Sequence, residues 1–224
     1  MPVTYEQLKN DEQVQAYIQS GNNALKYQGI TEHCFSHVCR TAETAALILK
    51  GLGHCDETIE LAKIASLLHD IGNLINRKFH ASIGAEMARN ILERHGMPYK
   101  DIATICSAIG NHDESTGKPV SIVSAAVIIA DKADVRRSRV QEECMENIIA
   151  DIHDRVNYAV TRAEIKIIHS EPKVFIRLCL DLDISFTPVM DYFEIFLTRM
   201  VMCRRAAAFL GAEFELFIND AKIV

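Results

Sequence analysis

The chain has 224 residues, 49% hydrophobic and 24% charged, with 10 Gly and 5 Pro, a globular balance that excludes a disordered, collagen-like or low-complexity protein. A formal net charge of −6, from 24 Lys and Arg against 30 Asp and Glu, argues against stable coating of nucleic acid, which needs a positive field. The longest apolar or small-residue run, about 120–130, falls well short of the roughly 20 residues that span a bilayer, so no membrane partner is expected.

The opening MPVTYEQLKNDEQ carries acidic residues early and has no apolar h-region of a signal peptide. The 7 Cys (Cys34, Cys39, Cys55, Cys106, Cys144, Cys179 and Cys203) form no CxxC pair and read as free thiols in a reducing compartment. Together these features point to a cytoplasmic protein.

From about Tyr5 to Tyr158 the pattern is a succession of helices. Segment 31–53 places Val38, Thr41, Ala42, Ala45, Ala46 and Leu49 at helical spacing and stops at Gly51 and Gly53. Segment 56–72 opens on acidic residues, carries Ile59, Ala62, Ala65, Leu67 and Leu68, and is expected to end at Gly72. Further helices are expected over 81–95, stopping at Gly96 before Pro98, and over 99–110, 121–135 and 138–153, with the polar loop NHDESTGKP between the second and third of these.

After Val156 the period changes. VNYAVTRAEIKII and VFIRLCLDLDI alternate around HSEPK and predict a β-hairpin. A helix is expected over 188–210, ending at Gly211, and EFELFIN reads as a third strand. The expected fold class is mostly α, a helical bundle over 1–155 with a small C-terminal α+β subdomain over 156–224 packed against it. The stripe Met190, Phe193, Leu197, Met200 and Val201 suits a core or a homodimer interface.

Within the helical background six polar residues stand out: His37, His69, Asp70, His80, His112 and Asp131. Four imidazoles and two carboxylates suit divalent transition metals such as Fe, Mn, Ni or Zn, with Mg as a further option. His69 and Asp70 follow the apolar run IASLL, and Asp131 ends SAAVIIA, positions where an unpaired buried charge is costly and a metal removes that cost.

The ordered series HVCRTAETAALI, LLHDIGN, HASIGAEMA, IGNHD and IIADKADVRRSR resembles the HD-domain metal-dependent phosphohydrolases over about residues 30–140. The resemblance implies that His37, His69, Asp70 and Asp131 hold a first metal ion. It also implies that His80 and His112 hold a second, with Asp70 bridging and a metal-activated hydroxide as nucleophile. Asp70 and Lys132 are then the expected catalytic groups, and Arg40, Lys78, Lys132 and Arg136 the expected substrate-binding cations. His33, one turn before His37, is either an outer support or third-metal ligand, or a surface or capping residue; His54, His95, His153 and His169 lack a matching context.

Two departures matter. Many relatives carry Lys where this chain has Asn73, which makes Lys78 the nearby replacement, and members that cleave cyclic dinucleotides carry a His where this chain has Asp113, together with a GYP signature missing here. The expected activity is hydrolysis of a phosphoester or phosphoanhydride bond in a small phosphorylated metabolite, a nucleotide by preference. The alternatives are a phosphodiesterase on cyclic or linear dinucleotides and a non-catalytic regulatory HD protein. The C-terminal unit has no catalytic motif, and covering the site, dimerising or sensing a ligand all remain open to it.

Overall fold

A computed structural model describes residues 3–224 and shows a mostly α-helical protein with a small four-stranded sheet. The helical part comprises α1 (Tyr5–Lys9), α2 (Glu12–Lys26), α3 (Phe35–Gly51), α4 (Asp56–Leu68), α5 (His80–Arg94), α6 (Tyr99–Gly110), α7 (Ile122–Lys132), α8 (Met145–Ala150) and α9 (Ile152–Ala159). The C-terminal unit contains the hairpin β1 (Val160–Ser170) and β2 (Lys173–Leu182), the long α10 (Val189–Phe209), β3 (Glu213–Ile218) and the short β4 (Ala221–Lys222). β3 lies parallel to β2, because α10 carries the chain back across the sheet before β3 is laid down.

Several boundaries differ from the sequence expectation, for identifiable reasons. The helix expected over 31–53 begins only at Phe35, and the one expected over 138–153 is replaced by a 3₁₀ turn, an irregular stretch and the separate α8 and α9. Both changes have one cause. The Glu32 amide donates to the Arg139 carbonyl at 2.7 Å, the Arg139 guanidinium donates back to the Glu32 carbonyl, and the Gln141 side chain donates to the Ile30 carbonyl. These long-range bonds occupy backbone groups that a longer helix would use. Asp151, in an extended conformation, then caps α9 by accepting from the amides of His153 and Asp154. Residues 156–159, expected to start the hairpin, are the last turn of α9, so the boundary expected near 155 falls inside a helix.

Gly72 does not end α4. That helix stops at Leu68, and Gly72 lies in a 3₁₀ turn, Ile71–Leu74, pressed against α5. A Cβ there would sit 2.1 Å from the His80 carbonyl oxygen and 2.6 Å from the Gly84 amide, so only glycine permits this approach.

Two hydrophobic cores meet at α7. Val123, Ala126, Val127 and Ala130 join the helical core built by α1 to α6, whereas Ala125, Ile128 and Ile129 join Ile48 in a second core. That second core is completed by Ile176, Leu178 and Leu180 of the sheet and by Tyr192, Phe196 and Cys203 of α10. An all-round apolar helix is a buried helix, and IVSAAVIIA is apolar all round because it serves both cores. No helix among the described residues is long and apolar enough to cross a membrane.

Candidate metal centre

The six singled-out residues converge, and each sits near a helix end. His37 lies in the first turn of α3, His69 and Asp70 directly follow α4, His80 opens α5, His112 follows α6, and Asp131 lies in the last turn of α7. All six are buried, with His37 and His69 fully inaccessible. The close contact at Gly72, together with Gly84 facing the His69 carbonyl, brings the start of α5 against the end of α4 and so sets His80 beside Asp70.

Hydrogen bonds orient every ring. Nδ1 of His69, His80 and His112 faces the carbonyls of Ser66, Arg77 and Ile109 at 2.7, 2.9 and 2.6 Å, and Nδ1 of His37 faces the Asp134 carboxylate at 2.8 Å. Carbonyl and carboxylate oxygens only accept, so Nδ1 carries a proton and Nε2 is the nitrogen turned inward, the arrangement of metal-ligating histidines. The inward nitrogens meet in pairs, His37 with His69 at 3.3 Å and His80 with His112 at 3.1 Å. Facing lone pairs this close repel unless a cation, a proton or a metal ion, offsets them.

Asp70 lies between the pairs. Its Oδ2 is 3.1 Å from His69 Nε2 and 3.6 Å from His37 Nε2, whereas its Oδ1 is 3.5 Å from His80 and 3.8 Å from His112. Asp131 Oδ1 completes the first side, 3.3 Å from His37 Nε2 and 3.6 Å from His69 Nε2. Three overlapping trios, His37–His69–Asp70, His69–His112–Asp131 and Asp70–His80–His112, each bring their donor atoms within 4.8 Å of one another. Imidazole nitrogens with carboxylate oxygens form a donor set that fits divalent transition metals.

The electrostatics agree with that fit. Burial alone would depress His69, but the Asp70 and Asp131 carboxylates outweigh it and lift the ring to about 10. Burial would likewise raise Asp70 and Asp131; His69 beside Asp70, and Lys132 beside Asp131, hold both well below the usual carboxylate range. Farther from the acids burial wins, pushing His80 down to about 4 and also lowering His112 and His33. A field that concentrates positive charge between Asp70 and Asp131 favours a metal ion as it favours a proton.

The remaining candidates occupy different surroundings. Lys132 is buried, its Nζ 2.7 Å from Asp131 Oδ2. Arg40 donates to the Ala163 carbonyl at 2.8 Å and pairs with Asp134 at 3.2 Å. Arg136 donates to Asp134 Oδ1 at 2.9 Å and to Ser36 Oγ at 3.0 Å. Lys78 is exposed, 5.1 Å above the Phe79 ring. His33 is buried at the edge of the cluster, with Nδ1 on the Thr31 carbonyl and Nε2 4.0 Å from Asp70 Oδ2.

Three contributors escaped the sequence reading. Asp134 orients His37 and is itself surrounded by Arg40, Arg136 and Arg139; burial would raise its pKa, but the His37 hydrogen bond and these arginines hold it low. Asn73 donates to Asp70 Oδ1 at 2.8 Å, so the residue in the Lys position of relatives orients the central carboxylate. Arg77 lies 3.6 Å from the same oxygen. Of these, Asp134 lies one turn from a singled-out residue, Asp131 in DKAD, although its partner His37 is distant in sequence. Arg77, His80, Asp113 and Thr116, with Lys78 and the 64% exposed Phe79, line a cleft of about 680 Å³ that borders the cluster at His80.

Comparison with known proteins places this geometry in context. The HD domain model matches residues 34–159, which contain all six converging residues. Ribonuclease Y of Enterococcus faecalis is 30% identical over 129 residues, covering 56% of this chain and 23% of that protein. Ribonuclease Y of Campylobacter curvus is 31% identical over 141 residues, covering 60% of this chain and 24% of that protein. The chain thus aligns with less than a quarter of the length of these relatives. A crystal structure of a predicted HD superfamily hydrolase from an uncultured Thermotogales bacterium is 27% identical, with a TM-score of 0.45, covering 55% of this chain and 67% of that one. Since the matched family model spans more than half of its residues, this chain belongs to the HD domain family.

Proposed function

We propose that the protein is a metal-dependent phosphohydrolase with a two-metal centre that cleaves a phosphoester or phosphoanhydride bond of a small phosphorylated metabolite, a nucleotide by preference. The observation that carries this reading is the meeting of four inward Nε2 atoms in two pairs, with Asp70 offering one oxygen to each pair. One ion would be held by His37, His69, Asp70 and Asp131, and the other by Asp70, His80 and His112. Divalent ions in such a set supply hydroxide at neutral pH and polarise phosphoryl oxygens.

The chain's own residues account for the rest. Asn73 and Arg77 both approach Asp70 Oδ1, and Arg77 also lines the cleft. Arg77 and Lys78 place two positive charges on the cleft wall, where they neutralise a phosphate, Arg77 in fork geometry and Lys78 as a point charge. Phe79, exposed beside them, offers a ring face on which a base stacks. The cleft volume falls within the range of small-molecule sites, roughly 300–1,000 Å³.

The relatives named Ribonuclease Y supply the second reading, a phosphodiester as the bond cleaved. The test is product release by Mn-, Fe- and Ni-loaded protein across nucleoside mono- and triphosphates, dinucleoside polyphosphates, cyclic dinucleotides and a short oligoribonucleotide, with Asp70→Ala alongside. Turnover on mononucleotides or polyphosphates that vanishes in Asp70→Ala supports the first reading, and turnover confined to cyclic dinucleotides or the oligoribonucleotide supports the second. A silent panel with metal bound would sink both.

A further inference from the structure

A chain of alternating charges links the C-terminal unit to the metal centre. Asp131 presents Oδ1 to His37 and His69 and accepts Lys132 Nζ on Oδ2 at 2.7 Å. Lys132 also lies 3.8 Å from Glu114 Oε1, in the loop just after His112. That same Glu114 oxygen accepts Arg199 Nε at 2.6 Å. Arg199 belongs to α10, outside the segment that matches the HD domain, and its guanidinium sits 4.6 Å over the buried ring of Phe196. Stacking from one side and a hydrogen bond from the other fix it in place. The helix that bears it is anchored by Phe196, Met200, Cys203 and Ala206 in the core shared with α7.

Buried Lys132 therefore has two carboxylates within reach and one charge to share. Arg199 occupies Glu114, which leaves Asp131 as the dominant partner of Lys132. Without Arg199, Glu114 is an unpaired carboxylate beside a buried ammonium and draws Lys132 off Asp131. We propose that Arg199 is a positioning residue of the metal centre: by neutralising Glu114 it keeps Lys132 on Asp131 Oδ2, so that Oδ1 stays aimed at His37 and His69. The inference rests on the metal-centre reading above, and it makes α10 a working part of the site. A carboxylate ligand held by an outer hydrogen bond loses about 10- to 100-fold in metal affinity or activity when that support goes.

The test is Mn²⁺ binding by calorimetry to the full-length wild type, Arg199→Gln, Arg199→Lys, Glu114→Gln and the Arg199→Gln/Glu114→Gln double variant, with thermal unfolding of each. Arg199→Gln should weaken binding at least tenfold while unfolding cooperatively near the wild-type temperature, and Arg199→Lys, which keeps the charge, should recover part of it. The diagnostic result is rescue. The double variant should bind as tightly as Glu114→Gln alone, because removing the competing carboxylate makes Arg199 unnecessary. Wild-type-like binding by Arg199→Gln would overturn the inference, as would a loss that Glu114→Gln does not restore, the mark of a merely structural arginine. A wild type that takes up no Mn²⁺ would overturn the metal-centre reading and this inference with it.

Discussion

The two oxygens of Asp70 face different histidine pairs, so removing this one side chain acts on both halves of the site. Asp70→Ala should abolish metal binding and lower turnover by more than about a hundredfold, beyond the effect of losing an outer support, with helical content by circular dichroism unchanged. His80→Ala or His112→Ala should reduce bound metal from two ions per chain to one; a count by elemental analysis that stays at two in both would refute the two-metal reading. Asp134→Ala should weaken metal binding through His37 and leave buried Arg139 without its carboxylate. Stranding a buried charge costs about 3–5 kcal/mol, and urea unfolding measures it. The metal-free site also carries a pH signature. His80, pushed down to about 4, together with His112 and His33, stabilises the fold above the unfolded value of 6.5, and that contribution is lost as pH falls from 6.5 toward 4. His69, lifted to about 10, stabilises fully below 6.5 and loses its contribution as pH rises through 10. Chelator-treated protein should therefore be most stable near pH 6.5 by urea midpoint; a midpoint that climbs steadily from pH 6.5 to 10 would contradict the His69 assignment.

At the level of elements, the site depends on helix ends being brought together, and Gly72 is the tightest joint. Gly72→Ala puts a methyl into the His80 carbonyl and must push α5 away. Overpacking of this kind costs about 1–3 kcal/mol, and because α5 begins with His80, the two-metal proposal requires that an ion at His80 and His112 be lost before one at His37 and His69. Equal occupancy of both, measured by metal titration, would count against this coupling. The helices that carry the candidate ligands were legible in the sequence because their apolar spacing is local: α4, α5 and α6 lie within a few residues of their expected bounds. The failures cluster where backbone partners come from afar. Ile30 and Glu32 bond to Gln141 and Arg139 across more than a hundred positions, and no window of neighbouring residues records that pairing.

For the molecule as a whole, α7 joins the two cores, and the C-terminal unit covers one of its faces. A fragment ending at residue 159 would expose Ala125, Ile128, Ile129 and Ile48 to water, so it should aggregate or populate a loosened state by gel filtration and circular dichroism. A monodisperse, cooperatively folding fragment would mean that the helical part stands alone. The mostly α architecture, the β-hairpin and the six converging polar residues were all readable in the chain, since metal-ligating types at the ends of apolar helices stand out against their immediate surroundings. The parallel placement of β3, the hold of Asp134 on His37 from 97 residues away and the reach of Arg199 to Glu114 across 85 were not. Those depend on how separate elements pack, and a side chain's distant partner leaves no mark on the periodicity of its own segment.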